Sequence, residues 1–118
     1  MSSTWQDIYR FLEDNAIKVY SPGQHQGECK EPYVVIKDNG VSRFRTYSST
    51  QNLYSFMCYV PRTAFSELEP FVDRVEALLD NLYPRLRSNH YRTPSFYDDS
   101  VKAHMISTQY INYRKYTH

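Results

Sequence analysis

The first segment of the chain places its apolar residues at the spacing of an α-helix. One face of this segment consists of Trp5, Ile8, Tyr9, Leu12 and Ala16. Most of its charged residues lie off that face. Thr4 is a typical N-cap residue, and Asn15 tolerates the left-handed conformation that ends many helices. The pattern therefore predicts an amphipathic helix from Thr4 to the neighbourhood of Asn15.

Strand-like patterns follow the helix. A short strand is predicted over Ile17–Tyr20, then a loop over residues 21–32, and then a stronger strand over Tyr33–Lys37. Asp38–Gly40 predicts a hairpin turn, because Asn-Gly adopts positive φ at little cost. Val41–Tyr47 is then expected to return as the partner strand.

The next strand is predicted to be central in the sheet. After a polar loop over Ser48–Asn52, the segment Leu53–Val60 is apolar or aromatic on both faces, as expected of a strand with neighbours on each side. Pro61 is expected to end it, because proline cannot donate a backbone hydrogen bond to a sheet.

A second, longer helix is predicted after this strand. Ser66 is expected to cap it, with Glu69 as the glutamate of a capping box. Its apolar stripe consists of Leu68, Phe71, Val72, Val75, Leu78, Leu79, Leu82 and Leu86. Pro84 is expected to end or kink the helix.

The last third of the chain predicts a loop and one long strand. Ser88–Ser100 is rich in loop-forming residues, and Val101–Tyr116 alternates with the period of a strand. Hairpin-linked strands with separate helices indicate an α+β fold, with a mostly antiparallel sheet and both helices packed on it. We expect residues 1–118 to form one domain.

Composition narrows the functional classes. The chain has 118 residues, with 14 Lys and Arg against 13 Asp and Glu, so no overall field favours nucleic acid. No apolar run approaches the roughly 20 residues of a membrane span. The N-terminus does not resemble a secretion signal, and two cysteines are too few for a disulfide scaffold. We expect a reduced, cytoplasmic setting, with no membrane partner and no specific nucleic acid.

Tyrosine is abundant. The chain has 12 Tyr, 6 Phe and 1 Trp. Tyrosine packs like an apolar residue but keeps a polar tip, and it is enriched at protein interfaces. Two interpretations stay open, namely half-buried tyrosines on strands or a subunit that buries much of its surface on others.

The candidates for chemistry are weak. Cys29 and His25 lie four residues apart in a loop, but no third group is evident that would orient them as a nucleophile and base. The Cys and His residues are too scattered for a zinc site. Asp98 and Asp99 lack the ligand spacing of a calcium loop, and we expect them to cap a turn. The sequence predicts no catalytic, metal or cofactor site, and hence no enzyme.

Basic and aromatic residues alternate in two places. They are Arg43, Arg45 and Tyr47 near the middle of the chain, and Arg114 and Tyr116 at its end. Such a pattern suits stacking on single-stranded nucleic acid. It also suits an ordinary amphipathic strand and a solvated basic tail, and the balanced net charge favours this second interpretation.

Three strings carry a resemblance to a known family. They are WQDIYRFLEDNAIKVYSPGQHQGECKEPYVVIKDNG, LYSFMCYVPRTAFSELEPFVDRVEALLDNLYP and PSFYDDSVKAHMISTQYINYRK. Together they resemble the tail terminator, or tail completion, family of long-tailed bacteriophages and phage-tail-like bacteriocins, in the version common in prophages of low-GC Gram-positive bacteria. The resemblance runs from about Trp5 to Lys115, and its strings contain no catalytic signature.

The resemblance implies an architectural function. Members of this family form a ring, usually of six subunits, on the head-proximal end of the tail tube. The ring ends tube polymerisation and presents the surface that joins the head, or that anchors the sheath in contractile particles. The implied partners are other copies of the chain, the tail tube protein, and the sheath protein or head-tail connector. The location would be the tail of a virion or phage-like particle assembled in the bacterial cytoplasm.

Two alternatives stay open. Similar small α+β proteins serve as head-completion or neck connector proteins, and a single-stranded nucleic-acid-binding accessory protein is the other class. For a ring, we expect a contact between two oppositely charged patches on neighbouring subunits. One patch consists of Arg43, Arg45 and Tyr47, and the other of Tyr97, Asp98 and Asp99.

Overall fold

A six-stranded, mostly antiparallel sheet forms one layer of the protein, and two helices cover one of its faces. The computed structural model describes residues 4–24, 27–43, 49–83 and 86–115. The elements in chain order are α1 (Thr4–Asp14), β1 (Val19–Tyr20), β2 (Tyr33–Arg43), β3 (Ser49–Pro61), a 3₁₀ helix (Arg62–Glu67), α2 (Leu68–Asp80), β4 (Arg87–Arg92), β5 (Phe96–Asp98) and β6 (Ala103–Lys115). The predicted α+β class is confirmed.

The strands lie in the order β1-β2-β3-β6-β4, and β5 also pairs with β6. Only β1 and β2 run parallel; the other described pairs are antiparallel. The strand predicted to be central, now β3, lies between β2 and β6. One of its faces packs on the helices, and its other face carries Leu53, Met57 and Tyr59.

The main core lies between the helices and the sheet. The apolar stripe predicted for the second helix is buried at Leu68, Val72, Val75 and Leu79, and it is half-buried at Phe71, Leu78 and Leu82. These side chains pack on alternate residues of the strands, including Ile36, Phe56, Val60, Ile106 and Tyr110. The prediction that this stripe packs on the sheet is confirmed for α2, whereas Leu82 and the buried Leu86 lie beyond the end of the helix at Asp80.

The first helix is fixed to the outer strands by side-chain contacts as well as by burial. Ile8 and Leu12 are buried in the core. The Trp5 indole Nε1 donates to the backbone oxygen of Ile36 at 3.2 Å, and the Tyr9 hydroxyl donates to that of Val19 at 3.0 Å. The predicted apolar face of α1 therefore meets β1 and β2.

The hairpin turn predicted over Asp38–Gly40 is wrong. β2 continues through it to Arg43, and its pairing with β3 steps from Asp38–Tyr54 to Val41–Asn52. One extra residue on β2 makes a bulge there. The Asn39-Gly40 dipeptide is compatible with a bulge as well as with a tight turn, because glycine adopts at little cost the backbone conformations that either can require. The return strand predicted over Val41–Tyr47 is likewise wrong in its described part, and residues 44–48 lie outside the described ranges.

The polar loop predicted over Ser48–Asn52 is also wrong for its described residues, since β3 begins at Ser49. Likewise, the segment Ser88–Ser100 is not merely a loop, because it contains β4 and β5. Most of the residues of these two edge strands are exposed. An exposed edge strand needs no apolar alternation, which is why the sequence pattern did not reveal them.

The predicted start of α2 and the predicted end of α1 both differ from the structure. Ser66 lies inside the 3₁₀ helix, and α2 starts at Leu68 without a side-chain cap. At the end of α1 the left-handed residue is Ala16, with φ of 64°, whereas Asn15 donates its side-chain amide to the Phe11 carbonyl at 2.8 Å. The hydrogen bond from Asn15 holds it within the last turn, so the next residue takes the left-handed conformation.

Candidate interaction surfaces

The sheet face opposite the helices carries a row of aromatic and sulfur-containing side chains. The register aligns Tyr33, Tyr59, Met105 and Phe96 across four strands. The rings of Tyr33 and Tyr59 stack at 4.8 Å, and Tyr20 meets Tyr33 edge-on at 5.3 Å. Several of the chain's tyrosines therefore pack across this end of the sheet.

The loop before β2 covers part of this row. The Cys29 amide donates to the Val101 carbonyl at 2.7 Å, and Cys29, Tyr33, Val35 and Ala103 form a second buried cluster. Lys18 and Glu31 form an ion pair at 3.0 Å across the base of the loop. In its described part, this segment packs as an ordered connection between two strands.

The environment of Cys29 does not activate its thiol. The side chain is buried, and its Sγ donates to the Glu31 carbonyl at 3.2 Å. Burial is the main reason that the pKa of the Cys29 thiol is raised above its ordinary value. A raised pKa lowers the fraction of the reactive thiolate. His25, its predicted neighbour, lies outside the described residues.

Farther along the strands, the same sheet face is left uncovered by both helices, which pack on the opposite side. We call this region the open face. It consists of half-buried Leu53, Met57, Gln109 and Ile111, bordered by exposed Lys37 on β2 and exposed Arg87 on β4. Two small buried residues, Ser55 and Ser107, lie low between them. The open face is thus mainly apolar or neutral, with a cation on each border.

The outer edge of the sheet, at β4 and β5, exposes several aromatic side chains. Tyr91 is 50% exposed, Phe96 51% and Tyr97 37%. His104 lies between Tyr97 and the 53%-exposed Phe65, at 5.2 and 4.7 Å between ring centroids. Large exposed aromatics on one edge are typical of a contact surface.

A charged cluster fixes this edge to α2. The Arg92 guanidinium donates to Glu76 at 2.9 and 2.6 Å and to Asp73 at 2.6 Å, and the Thr108 hydroxyl donates to Glu76 at 2.7 Å. The hydrogen bonds from Arg92 are the main cause that holds the pKa of Glu76 below its ordinary value. Sequence reasoning missed this cluster, although two acids three residues apart on a helix were a visible signal.

The structure describes only some residues of the two oppositely charged patches that were predicted from the sequence. Arg43 is the last residue of β2, whereas Arg45 and Tyr47 lie outside the described residues. Tyr97 and Asp98 are in β5, and Asp99 is exposed in the turn that follows.

The prediction that these aspartates cap a turn is confirmed for Asp98. Its Oδ1 accepts hydrogen bonds from the amide of Ser100 at 3.0 Å and from the Ser100 hydroxyl at 2.6 Å. This carboxylate therefore organises the β5–β6 turn, whatever else it contacts.

The described parts of the two patches, Arg43 on one side and Tyr97 and Asp98 on the other, lie at opposite ends of the sheet. Arg43 pairs with Thr50, which pairs with Arg114 near one end of β6, whereas Asp98 pairs with Ala103 at the other. Strands of 13 residues span about 40 Å, so they run along the longest dimension, which is 51 Å. Arg43 and Asp98 therefore do not meet within one subunit. A contact between them would join subunits end to end.

Charge is divided between the two layers. Residues 4–14 and 62–80, which form the helices, contain eight acidic and three basic residues. The rest of the chain contains the other five acidic and eleven basic residues. The net charge of the chain is nearly zero because an acidic helical layer and a basic rest of the chain offset each other.

Within the described ranges, no group of His, Cys, Asp or Glu residues is arranged to hold a metal ion. In the same part of the chain, no helix is both long and apolar enough to cross a membrane. No protein-family model and no curated protein matches this sequence.

Proposed function

We propose that this protein is a structural subunit that caps the head-proximal end of a phage or phage-like tail tube as a ring of six copies. The ring would end tube polymerisation and present the surface that joins the head or anchors the sheath. The proposal has its origin in the resemblance of the three long sequence strings to the tail terminator family.

The structural observation that supports the proposal best is the open face. A subunit of a closed ring needs two different surfaces that fit each other, because each copy contacts its two neighbours through different sides. This protein has an acidic helical layer on one side of the sheet and an uncovered sheet face, bordered by Lys37 and Arg87, on the other. The exposed aromatics along β4 and β5 provide a further surface, suited to a tube or connector protein.

The first test is the mass of the purified protein. Light scattering after size-exclusion chromatography should give six times the 14.1 kDa of one chain, and negative-stain images should show rings. A strictly monomeric protein at high concentration, alone and with its tube protein, would contradict the proposal.

The second test concerns the position in the particle. Particles assembled without this protein should have tails of uncontrolled length, and adding it should cap their head-proximal ends. Tails of normal length that lack only the head would instead favour a head-completion or neck protein. Salt-sensitive binding to single-stranded DNA without ring formation would favour the nucleic-acid-binding alternative.

Substitutions of the candidate nucleophile and base provide a third test. The double variant with Cys29→Ser and His25→Ala should assemble like the parent, because the proposed function uses neither side chain for chemistry. Loss of assembly by a correctly folded double variant would point to a chemical role that the architectural proposal lacks.

A further inference from the structure

We propose that the contact between neighbouring copies is front to back: the solvent-facing side of α2 of one copy lies on the open face of the next. This inference rests on the proposed ring, since it needs a second copy of the chain as the partner. It goes further by assigning the two surfaces that meet.

The open face offers a helix an apolar surface that contains few large side chains. Its half-buried residues Leu53, Met57 and Ile111 offer apolar area, and the side chains between them are small or neutral: Ser107, and Ser55, whose hydroxyl accepts a hydrogen bond from the Asn39 amide. Covering such an area removes apolar surface from water, which is the main driving force for association.

The solvent-facing side of α2 is the surface that we assign to this contact. Pro70, Arg74, Ala77 and Asn81 are exposed at helical spacing, on the side opposite the buried stripe. Ala77 lies in the middle of this row. Because its side chain is a single methyl group, it lets the helix approach another surface closely.

The charges match in spacing as well as in sign. Lys37 on β2 and Arg87 on β4 are separated by three strand spacings across the sheet and by two residues along the strands. Their backbones are therefore about 16 Å from each other. On α2, the exposed acids Glu69 and Asp80 are 11 residues apart, so they lie about 16 Å from each other on one flank of the helix, about a quarter turn from Ala77. Asp80 also accepts a hydrogen bond from the Tyr110 hydroxyl of its own subunit at 3.0 Å. A helix laid obliquely across the open face would bring each acid near one cation.

Arg87 already has a neighbour within its own subunit. Its guanidinium carbon lies 5.5 Å from the centroid of the Tyr83 ring, which places the charge at the border between the open face and the sheet edge. Exposed ion pairs are weak individually. The two cations would therefore set the register of the contact, and the apolar centre would supply most of its strength.

The dimensions favour this broad contact over an end-to-end one. The molecule measures 51 × 28 × 24 Å. An end measuring 28 × 24 Å covers about 670 Å², whereas a side measuring 51 × 28 Å covers about 1,400 Å², and a standard stable interface buries about 800 Å² on each partner. An end contact between Arg43 and Asp98 would have to cover nearly the whole end to come within the range of stable interfaces, whereas a side contact needs only part of the side.

The test combines a steric block with a charge swap. Ala77→Arg places a bulky side chain in the centre of the contact. Lys37→Glu with Arg87→Glu reverses both cations, and Glu69→Lys added to that pair should restore attraction at one of them, whichever way the helix runs. Glu13→Lys, an identical change at an exposed position on α1, is the matched control. Circular dichroism and thermal melting establish that each variant is folded.

The readout is the dissociation of the ring on dilution, followed by light scattering or sedimentation. Ala77→Arg and the double reversal should each weaken assembly about tenfold or more. Glu69→Lys should recover part of the loss in the reversed background, and Glu13→Lys should recover none.

Each contrary result has a distinct meaning. If the parent forms rings and Ala77→Arg and the double reversal leave them intact, the front-to-back contact is wrong while the ring stands. Dissociation by Arg43→Glu with Arg45→Glu alone would then place the contact at the ends. Equal recovery by Glu69→Lys and Glu13→Lys would show a nonspecific charge effect and overturn the assigned pairing. A parent chain that never assembles would overturn both the ring and this contact.

Discussion

The packing of α2 on the sheet can be measured by comparing two adjacent leucines. Leu79 is fully buried in the core, whereas its neighbour Leu78 is half-buried at the border of that core. Replacing either by alanine removes the same three carbon atoms from the same helix. The difference between the two variants therefore reports burial, because helix propensity changes equally in both.

The expected magnitudes follow from burial. Removing three buried carbons costs about 2.4 kcal/mol in transfer free energy, and the cavity left behind raises the cost to within about 2–5 kcal/mol for Leu79→Ala. Leu78→Ala should cost less, about 1.5–2 kcal/mol with little cavity term, because its side chain is only partly buried. For a chain of this length, each kcal/mol corresponds to about 4 °C in melting temperature.

Urea unfolding followed by the fluorescence of Trp5, the one tryptophan, measures both costs. All variants should be compared at one low protein concentration, because assembly would add a concentration-dependent term to the apparent stability. If Leu78→Ala costs as much as Leu79→Ala, or if Leu79→Ala is as stable as the parent, the assigned packing of α2 is incorrect.

Three further predictions concern local features. Ala16→Gly should stabilise the fold by about 0.5–1 kcal/mol, since Ala16 has a left-handed backbone that costs a residue with a Cβ atom more than it costs glycine; a less stable variant in urea unfolding would refute this. Glu76→Gln should be less stable than the parent at pH 7, with a smaller gap at acid pH. The Arg92 contact lowers the pKa of Glu76, so the contribution of its charge to stability is present above the ordinary pKa and is lost as the pH falls through the lowered one. An equal gap at both pH values would show that the Glu76 charge contributes nothing. Cys29 and Cys58 are buried and their thiol pKa values are raised, so both should resist Ellman's reagent until the chain unfolds; rapid labelling of the native protein would contradict their burial.

Regular periodicity was the part of the fold that sequence reasoning recovered best. The stripe from Leu68 to Leu82, the alternation along β6 and the two-sided apolar character of β3 all reflect burial against a neighbouring layer or strand. For α2 and β6, solvent on one side and the core on the other produce a repeating pattern of polar and apolar residues. Such patterns identify an element without reference to its partners.

The edges and turns were predicted less well because they follow no repeating rule. β4 and β5 are mostly exposed, so nothing distinguishes them from a loop until β6 provides a partner. The sequence around Asn39 allows either a turn or a bulge, and the pairing of β2 with β3 selects the bulge. A backbone conformation available to several motifs is decided by the tertiary contacts around it.

For the candidate surfaces, the sequence by itself determined which types of residue are present, whereas the tertiary structure decided which of them lie together on one surface. The abundance of tyrosine and the near balance of charge are readable from composition. The open face exists because strand register brings Leu53 and Ile111 side by side while both helices pack on the other side of the sheet. The same packing gathers eight of the 13 acids in the helical layer. A surface is a property of residues distant in sequence, and only the fold brings them together.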